Sequence, residues 1–130
     1  MAYSKLALSV LEGRFAISHL NPRSSIPDWA FDETFFSITR SPDELSIVCP
    51  EDRVPEGVRC DTGWRCLKVQ GLLDFSMTGV MASLSMPLAD AGISIFPIST
   101  FDTDYLLIKE KDFEKAILAL AGAGHSVQRR

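Results

Sequence analysis

Cysteine is scarce in this chain, with only Cys49, Cys60 and Cys66, an odd number without CxxC spacing. Neither a disulfide framework nor a thiolate zinc site is indicated, and reduced, mostly structural thiols are expected. Histidine is scarcer still: His19 and His125 lie far apart and share no ligand spacing with the cysteines, so no metal site is expected. The longest apolar runs are a few residues, against the roughly 20 needed to span a bilayer. The N-terminal MAYSKLALSVLEG has Lys5 but neither an extended apolar region nor a small-residue cleavage site. The expectation is a cytoplasmic protein with no membrane partner.

Clustered basic residues are missing too. The formal net charge is −4 and only Arg129 and Arg130 sit together near the end, whereas neutralising phosphates needs a concentrated basic face. No nucleic-acid partner is expected. There is no GxGxxG, GxxxxGK(S/T), HExxH or GxSxG, and nothing pairs a nucleophile with either histidine, so neither catalytic residues nor a cofactor are expected. The catalytic alternative is an acid–base set of Asp74, Asp102 and Asp104 across a cleft.

What is present is a chain of 130 residues, 46% hydrophobic and 23% charged, enough for one core or two small fused ones. Its most informative stretch is residues 79–112, GVMASLSMPLADAGISIFPISTFDTDYLLIKEKD. Val80, Met81, Leu84, Leu88 and Ala91 recur at helical spacing and leave Ser83, Ser85 and Asp90 for water, which describes an amphipathic helix on a sheet. Thr78 is placed to cap it and Gly92 to end it in the left-handed conformation, while Pro87 predicts a kink or an irregular last turn. Ile93, Ile95 and Ile98, then Tyr105 to Ile108, read as two antiparallel strands joined by the polar stretch Ser99–Asp104. Asp112 is a candidate N-cap for a second helix carrying Phe113, Ile117, Leu120 and Ala121 up to Gly122, and His125–Val127 supply a last short strand. With Trp64–Val69 as the entering strand, the order is strand, helix, strand, strand, helix, strand, the split βαβ or ferredoxin-like order.

An internal repeat adds a second level. Aligned without a gap at an offset of 60, Phe36–Asp52 meets Phe96–Asp112: Ile38 meets Ile98, Glu44 meets Asp104, Ile47 meets Leu107 and Val48 meets Ile108. Leu6 and Leu8 correspond loosely to Leu67 and Val69. The first copy is worn down, because prolines and serines break residues 20–35 into at most a turn around Trp29, and Val54-Pro55-Glu56-Gly57 is too broken for a second helix. Leu6–Leu11 and Arg14–Leu20, pivoting on Glu12-Gly13, are expected to form an additional hairpin.

At LAxAGIS followed by ISTFxTDYxLIK, residues 64–128 resemble an ACT domain, the small βαββαβ regulatory unit of amino-acid metabolism. They are similar to the branch seen in aspartate kinase regulatory tails and the cytosolic arginine sensors of animals. The first half, chiefly FFSITRSPDELSIVCPED, resembles the leading ACT unit of such tandem proteins. The expected fold is therefore α+β: a ferredoxin-like ACT domain over 61–130, preceded by a divergent, helix-poor ACT-like unit over 1–60.

The resemblance implies amino-acid binding without catalysis at a seam between ACT units, read out as altered association in a homodimer or with a regulated protein in trans. Carried onto this chain, it marks the loop Asp74-Phe75-Ser76-Met77-Thr78-Gly79 and the facing Ser99, Thr100 and Phe101, with Asp104 beyond. Residue chemistry suits such a ligand: amides and the positive helix end at Thr78 and Gly79 favour an α-carboxylate, and Asp74 or Asp104 suits an ammonium. Plainer readings stand beside these. Thr78 caps a helix, Asp102 and Asp104 solvate a turn, Phe101 and the methionines Met77 and Met81 fill a core. On that reading the chain is a ligand-free dimerisation or docking module.

Overall fold

The computed structural model describes residues 5–71 and 79–129. Two compact units divide the chain, one made of residues 1–12 with 65–130 and the other of residues 13–64. The sequence reading placed a single cut at residue 60. Here the chain's first residues belong with its last, because β1 (Ala7–Val10) pairs antiparallel with the second half of β5 (Cys60–Val69) and parallel with β8 (Ser126–Gln128).

The discontinuous unit holds both helices. Its strands run β6-β7-β5-β1-β8, with β6 at Ile95–Ser99 and β7 at Asp104–Lys109. This is the ferredoxin-like order with β1 inserted beside the entering strand. Alternation along β5 sends Leu67 and Val69 to one face, where they bury with Leu8, Leu106 and Ile108 against Leu84 and Leu88 of α1 (Val80–Asp90) and Phe113, Ala116 and Leu120 of α2 (Phe113–Gly122). Each fully buried Leu or Ile contributes about 1.5–3 kcal/mol by leaving water.

Both helices stop by the same device. Gly92 and Gly124 take left-handed backbones, their N–H groups donate to Ala89 O and Ala121 O, and the next residues, Ile93 and His125, donate to Leu88 O and Leu120 O. The α2 helix thus runs up to Gly122, as expected, and Gly124 is the left-handed residue of the turn that closes it. Two local expectations need correction, those for Thr78 and Ser83, while Asp112 stands where expected. The N-cap residue of α1 is Gly79, in a left-handed conformation, and Thr78 lies outside the described residues. Asp112 holds the N-cap position of α2 without a side-chain capping bond. Ser83, expected in water, is buried and its hydroxyl donates to Val80 O at 2.8 Å. The helix continues through Pro87 to Asp90.

The middle unit has the strand order β3-β4-β2-β5, formed by Ser37–Arg40, Leu45–Pro50, Phe15–Leu20 and the first half of β5. That is again the ferredoxin-like order, all antiparallel, with 3-10 turns at Asp28–Ala30 and Glu51–Arg53 where helices would stand. Ala30, Leu45, Ile47 and Cys49 form its core, with Trp29, Leu20, Ile38 and Val54 packed on them. The expected β1–β2 hairpin is absent among the described residues: β2 pairs with β4 and β5, and β1 pairs elsewhere.

The repeat is real in shape but one residue out of step. Arg40 pairs with Leu45 and Ser99 with Asp104, so four-residue turns match at an offset of 59. Ser41 N–H donates to Glu44 O at 2.9 Å and Thr100 N–H to Thr103 O at 2.8 Å. The buried triplets then coincide, Ile47-Val48-Cys49 with Leu106-Leu107-Ile108, whereas a shift by one residue exchanges the two faces of a strand. All three cysteines are free. Burial pushes the Cys49 thiol up to about 11 and that of Cys66 up to about 12, while Cys60 is exposed.

Candidate functional site

The site follows from how the β6–β7 turn is tied down. Thr100 Oγ1 donates to Thr103 O at 3.1 Å and accepts Thr103 N–H at 3.3 Å, closing the turn on itself. Thr103, itself buried, donates its hydroxyl to Val69 O at 2.7 Å, fastening the turn to the end of β5. Between strand end and turn lies a cavity of about 230 Å³ lined by Lys68, Gly71, Thr100, Asp102, Thr103 and Tyr105. Pockets for drug-sized ligands run about 300–1,000 Å³, so this one suits a smaller molecule.

Strand alternation explains the lining. Lys68 stands between Leu67 and Val69, and Tyr105 beside Leu106, so both project from the sheet face opposite the helices. Burial, aided by Cys66 and Asp102, raises the Tyr105 phenol above its ordinary range. At neutral pH it is a neutral hydroxyl able to donate and accept. Lys68 offers a cation for a carboxylate and Asp102 an anion for an ammonium. The arrangement has the chemistry to hold a small zwitterion.

Of the nine residues marked in the sequence, Thr100 lines the cavity. Ser99 and Asp104 face each other across the β6–β7 ladder and are not among the lining residues. Phe101 projects from the turn at 79% exposure, which removes its reading as a core aromatic. Gly79 starts α1. Asp74, Ser76, Met77 and Thr78 lie outside the described residues. Sequence reasoning missed Lys68, Gly71, Thr103 and Tyr105, and gave Asp102 a solvating role or a place in the catalytic alternative, not a part in ligand binding. The available signal was Lys68, the charged residue inside the otherwise apolar run Cys66–Val69.

The profile of an ACT domain matches residues 59–122, and a second family, described as an N-terminal domain, matches residues 13–57. The crystal structure of protein Atu0741 from Agobacterium tumefaciens is 46% identical, superposes with a TM-score of 0.94, and is covered over 96% of its length by 98% of this chain. The ligand-free regulatory subunit of aspartate kinase from Thermus thermophilus, 14% identical with a TM-score of 0.62 over 93% of this chain and 99% of that one, shares the fold. Among human proteins, the putative protein CASTOR3P is 34% identical over 91 residues, 60% of this chain and 56% of that protein. The cytosolic arginine sensor for mTORC1 subunit 1 is 26% identical over 98 residues, 67% of this chain and 30% of that protein. The chain thus spans little more than half of the one and under a third of the other. With an ACT profile over its second half and a near-complete match to the Agobacterium protein, the chain belongs to the ACT domain family.

Proposed function

We propose that this chain is a non-catalytic regulatory protein that binds a small amino acid and signals by altered association. The observation that carries this is the cavity at the end of β5, where a cation, an anion and a neutral phenol converge within a volume suited to a small zwitterion. Lys68, helped by the amides of the 74–79 loop, takes the α-carboxylate. Asp102 takes the ammonium, with Asp104 and Asp74 as the alternative acids, and Ser76, Met77, Thr78, Ser99 and Phe101 remain the candidates for contact with the ligand's side chain. The proposal places the site at a seam with another ACT unit, in a second copy of this chain or in a regulated protein in trans. Occupancy then favours one packing of that seam over another, which is how a ligand shifts an equilibrium. The relatives named as an arginine sensor and as a regulatory subunit of aspartate kinase support a sensing role. We place the protein in the cytoplasm.

Thermal unfolding with each of the twenty amino acids at millimolar concentration tests this. A ligand at about 100 times its Kd adds roughly 2.7 kcal/mol, a shift of several degrees. Stabilisation by one chemical class that vanishes in Lys68→Met and Asp102→Asn is expected. A flat panel overturns the sensor and favours the alternative, a ligand-free dimerisation or docking module, for which the exposed Phe101 is the specific observation.

A further inference from the structure

Pro87 sits inside α1 and has no N–H, so the carbonyl four residues earlier, that of Ser83, loses its helical donor. That carbonyl is nevertheless bonded. The ring of His125, in the turn that ends α2 and only 5% exposed, places Nε2 2.9 Å from Ser83 O. On the other side of the same ring, Nδ1 lies 3.0 Å from the backbone nitrogen of Leu6, at the entrance to β1.

These two partners fix the ring's protons. A backbone N–H only donates and a carbonyl only accepts, so Nδ1 must be bare and Nε2 must carry the hydrogen. One neutral imidazole thus joins three elements: it donates to α1 in place of the amide that Pro87 lacks, accepts from the chain entering β1, and sits in the backbone between α2 and β8. A second proton has only Nδ1 to go to, and there an N–H would face the Leu6 N–H. We propose that His125 is an acid-sensitive latch, closed while neutral and opened at its Leu6 side by protonation of Nδ1.

Among the described residues, the charged groups on the elements around the ring offer the imidazolium no other acceptor. The side chain of Lys5 lies against Gly124, its Cε 2.9 Å from where a Cβ would stand there, which adds a cation beside the turn. The charged residue of α1, Asp90, is exposed, as are Glu114 and Lys115 on α2. Glu114 is engaged by Arg129, and β8 carries no charge. A proton added at Nδ1 sets two N–H groups face to face, so the contact with Leu6 loosens as the ring becomes charged.

Amide hydrogen exchange at Leu6 in the full chain, corrected for intrinsic rate, tests the latch between pH 7.5 and 5.5. In the wild type the protection factor should fall on acidification, by at most tenfold per pH unit for one proton. In His125→Gln, whose amide carries no titrating proton, protection should be flat with pH, whereas His19→Gln should behave as the wild type does. A wild-type protection factor independent of pH, or the same dependence in His125→Gln, overturns the proposal. If His125→Gln does not fold, ring nitrogen shifts of the wild type decide: the Nε2–H tautomer at neutral pH supports the latch, and an Nδ1–H tautomer overturns it. Pro87→Ala returns an N–H to Ser83 O, so the loosening caused by His125→Ala should shrink in that background. An undiminished loss overturns the pairing of His125 with Pro87.

Discussion

In the middle unit the two connections that are helices in the discontinuous unit shrink to single 3-10 turns, yet the strand order is the same. The order therefore does not depend on the helices. It depends on the strand registers, on a four-residue turn closed by Ser41 or Thr100, and on connections long enough to cross the sheet. Helix formation is a separate matter, decided locally. Residues 113–122 run without proline and present Phe113, Ala116 and Leu120 to the sheet, whereas residues 21–35 carry Pro22, Pro27 and five residues, Asn21, Ser24, Ser25, Asp28 and Asp32, that favour turns. Asp32 accepts from Thr34 N–H and Phe35 N–H, committing that stretch to a turn.

If a single turn replaces a helix, the core beneath it should yield more easily. The largest expected effect is therefore on the helical side. Leu88→Ala, deleting a fully buried side chain between α1 and the sheet, should cost about 2–5 kcal/mol, toward the upper end because two packed helices cannot collapse onto the void. Ile47→Ala, equally buried in the middle unit, should stay near the lower end, about 2 kcal/mol, since the loop around Trp29 and Ala30 can settle. Urea unfolding of both variants measures the difference. Equal losses would mean that the turn covers its sheet as rigidly as a helix does.

The glycine stops come next. Gly92→Ala forces a left-handed backbone on a residue with a Cβ and should cost about 1–2 kcal/mol, although the added methyl meets nothing within 4 Å. Gly124→Ala adds contact with the Lys5 side chain to the same strain, so it should cost more, and Lys5→Ala should remove the excess. Thermal midpoints of the three variants and the double variant check this. Indistinguishable Gly92→Ala and Gly124→Ala would show that Lys5 simply moves aside.

How far the sequence disclosed these features depended on whether the signal was local. The second half was readable because periodicity, stop glycines and hairpin lie within 50 residues. The pairing of β1 was not, since Leu8 meets Val69 and Val127 across the whole chain and nothing near Leu8 distinguishes that from a hairpin with β2. The repeat was visible but misregistered: aligning on Ile38/Ile98 and Glu44/Asp104 maximised likeness of residue type, while the turn bonds and buried triplets align one residue earlier. The acidic residues and Thr100 in the candidate site were conspicuous, but Lys68 and Tyr105 entered it only through strand facing, and Thr103 only through a bond to Val69 O from the far end of a turn.

Thr103 sharpens the comparison at equivalent positions, since its counterpart in the middle unit is Glu44. Thr103→Val keeps the shape and removes the buried bond to Val69 O, with an expected loss of about 1 kcal/mol. It should also weaken any stabilisation by amino acids, because the turn then no longer holds Asp102 at the end of β5. Glu44→Val should leave both unchanged. Thermal unfolding with and without ligand separates the two, and an unaltered ligand response in Thr103→Val would detach the turn from the site.

The smallest expected effect concerns the charge that holds the middle unit's turn. The Thr34 amide, then the Phe35 amide and Arg53, hold the Asp32 carboxyl below its ordinary range, with Arg53 Nε 3.2 Å from Oδ1. A carboxyl depressed in the folded state stabilises above the unfolded value, about 3.9, and loses that contribution as pH falls through the folded value. The pair is partly solvated, so its worth is under about 1 kcal/mol. Between pH 7 and 3 the urea midpoint of the wild type should drop further than that of Asp32→Asn, which cannot ionise. Parallel curves would mean that amide bonds to an uncharged side chain suffice to hold the turn, and that the middle unit dispenses with its helix on shape alone.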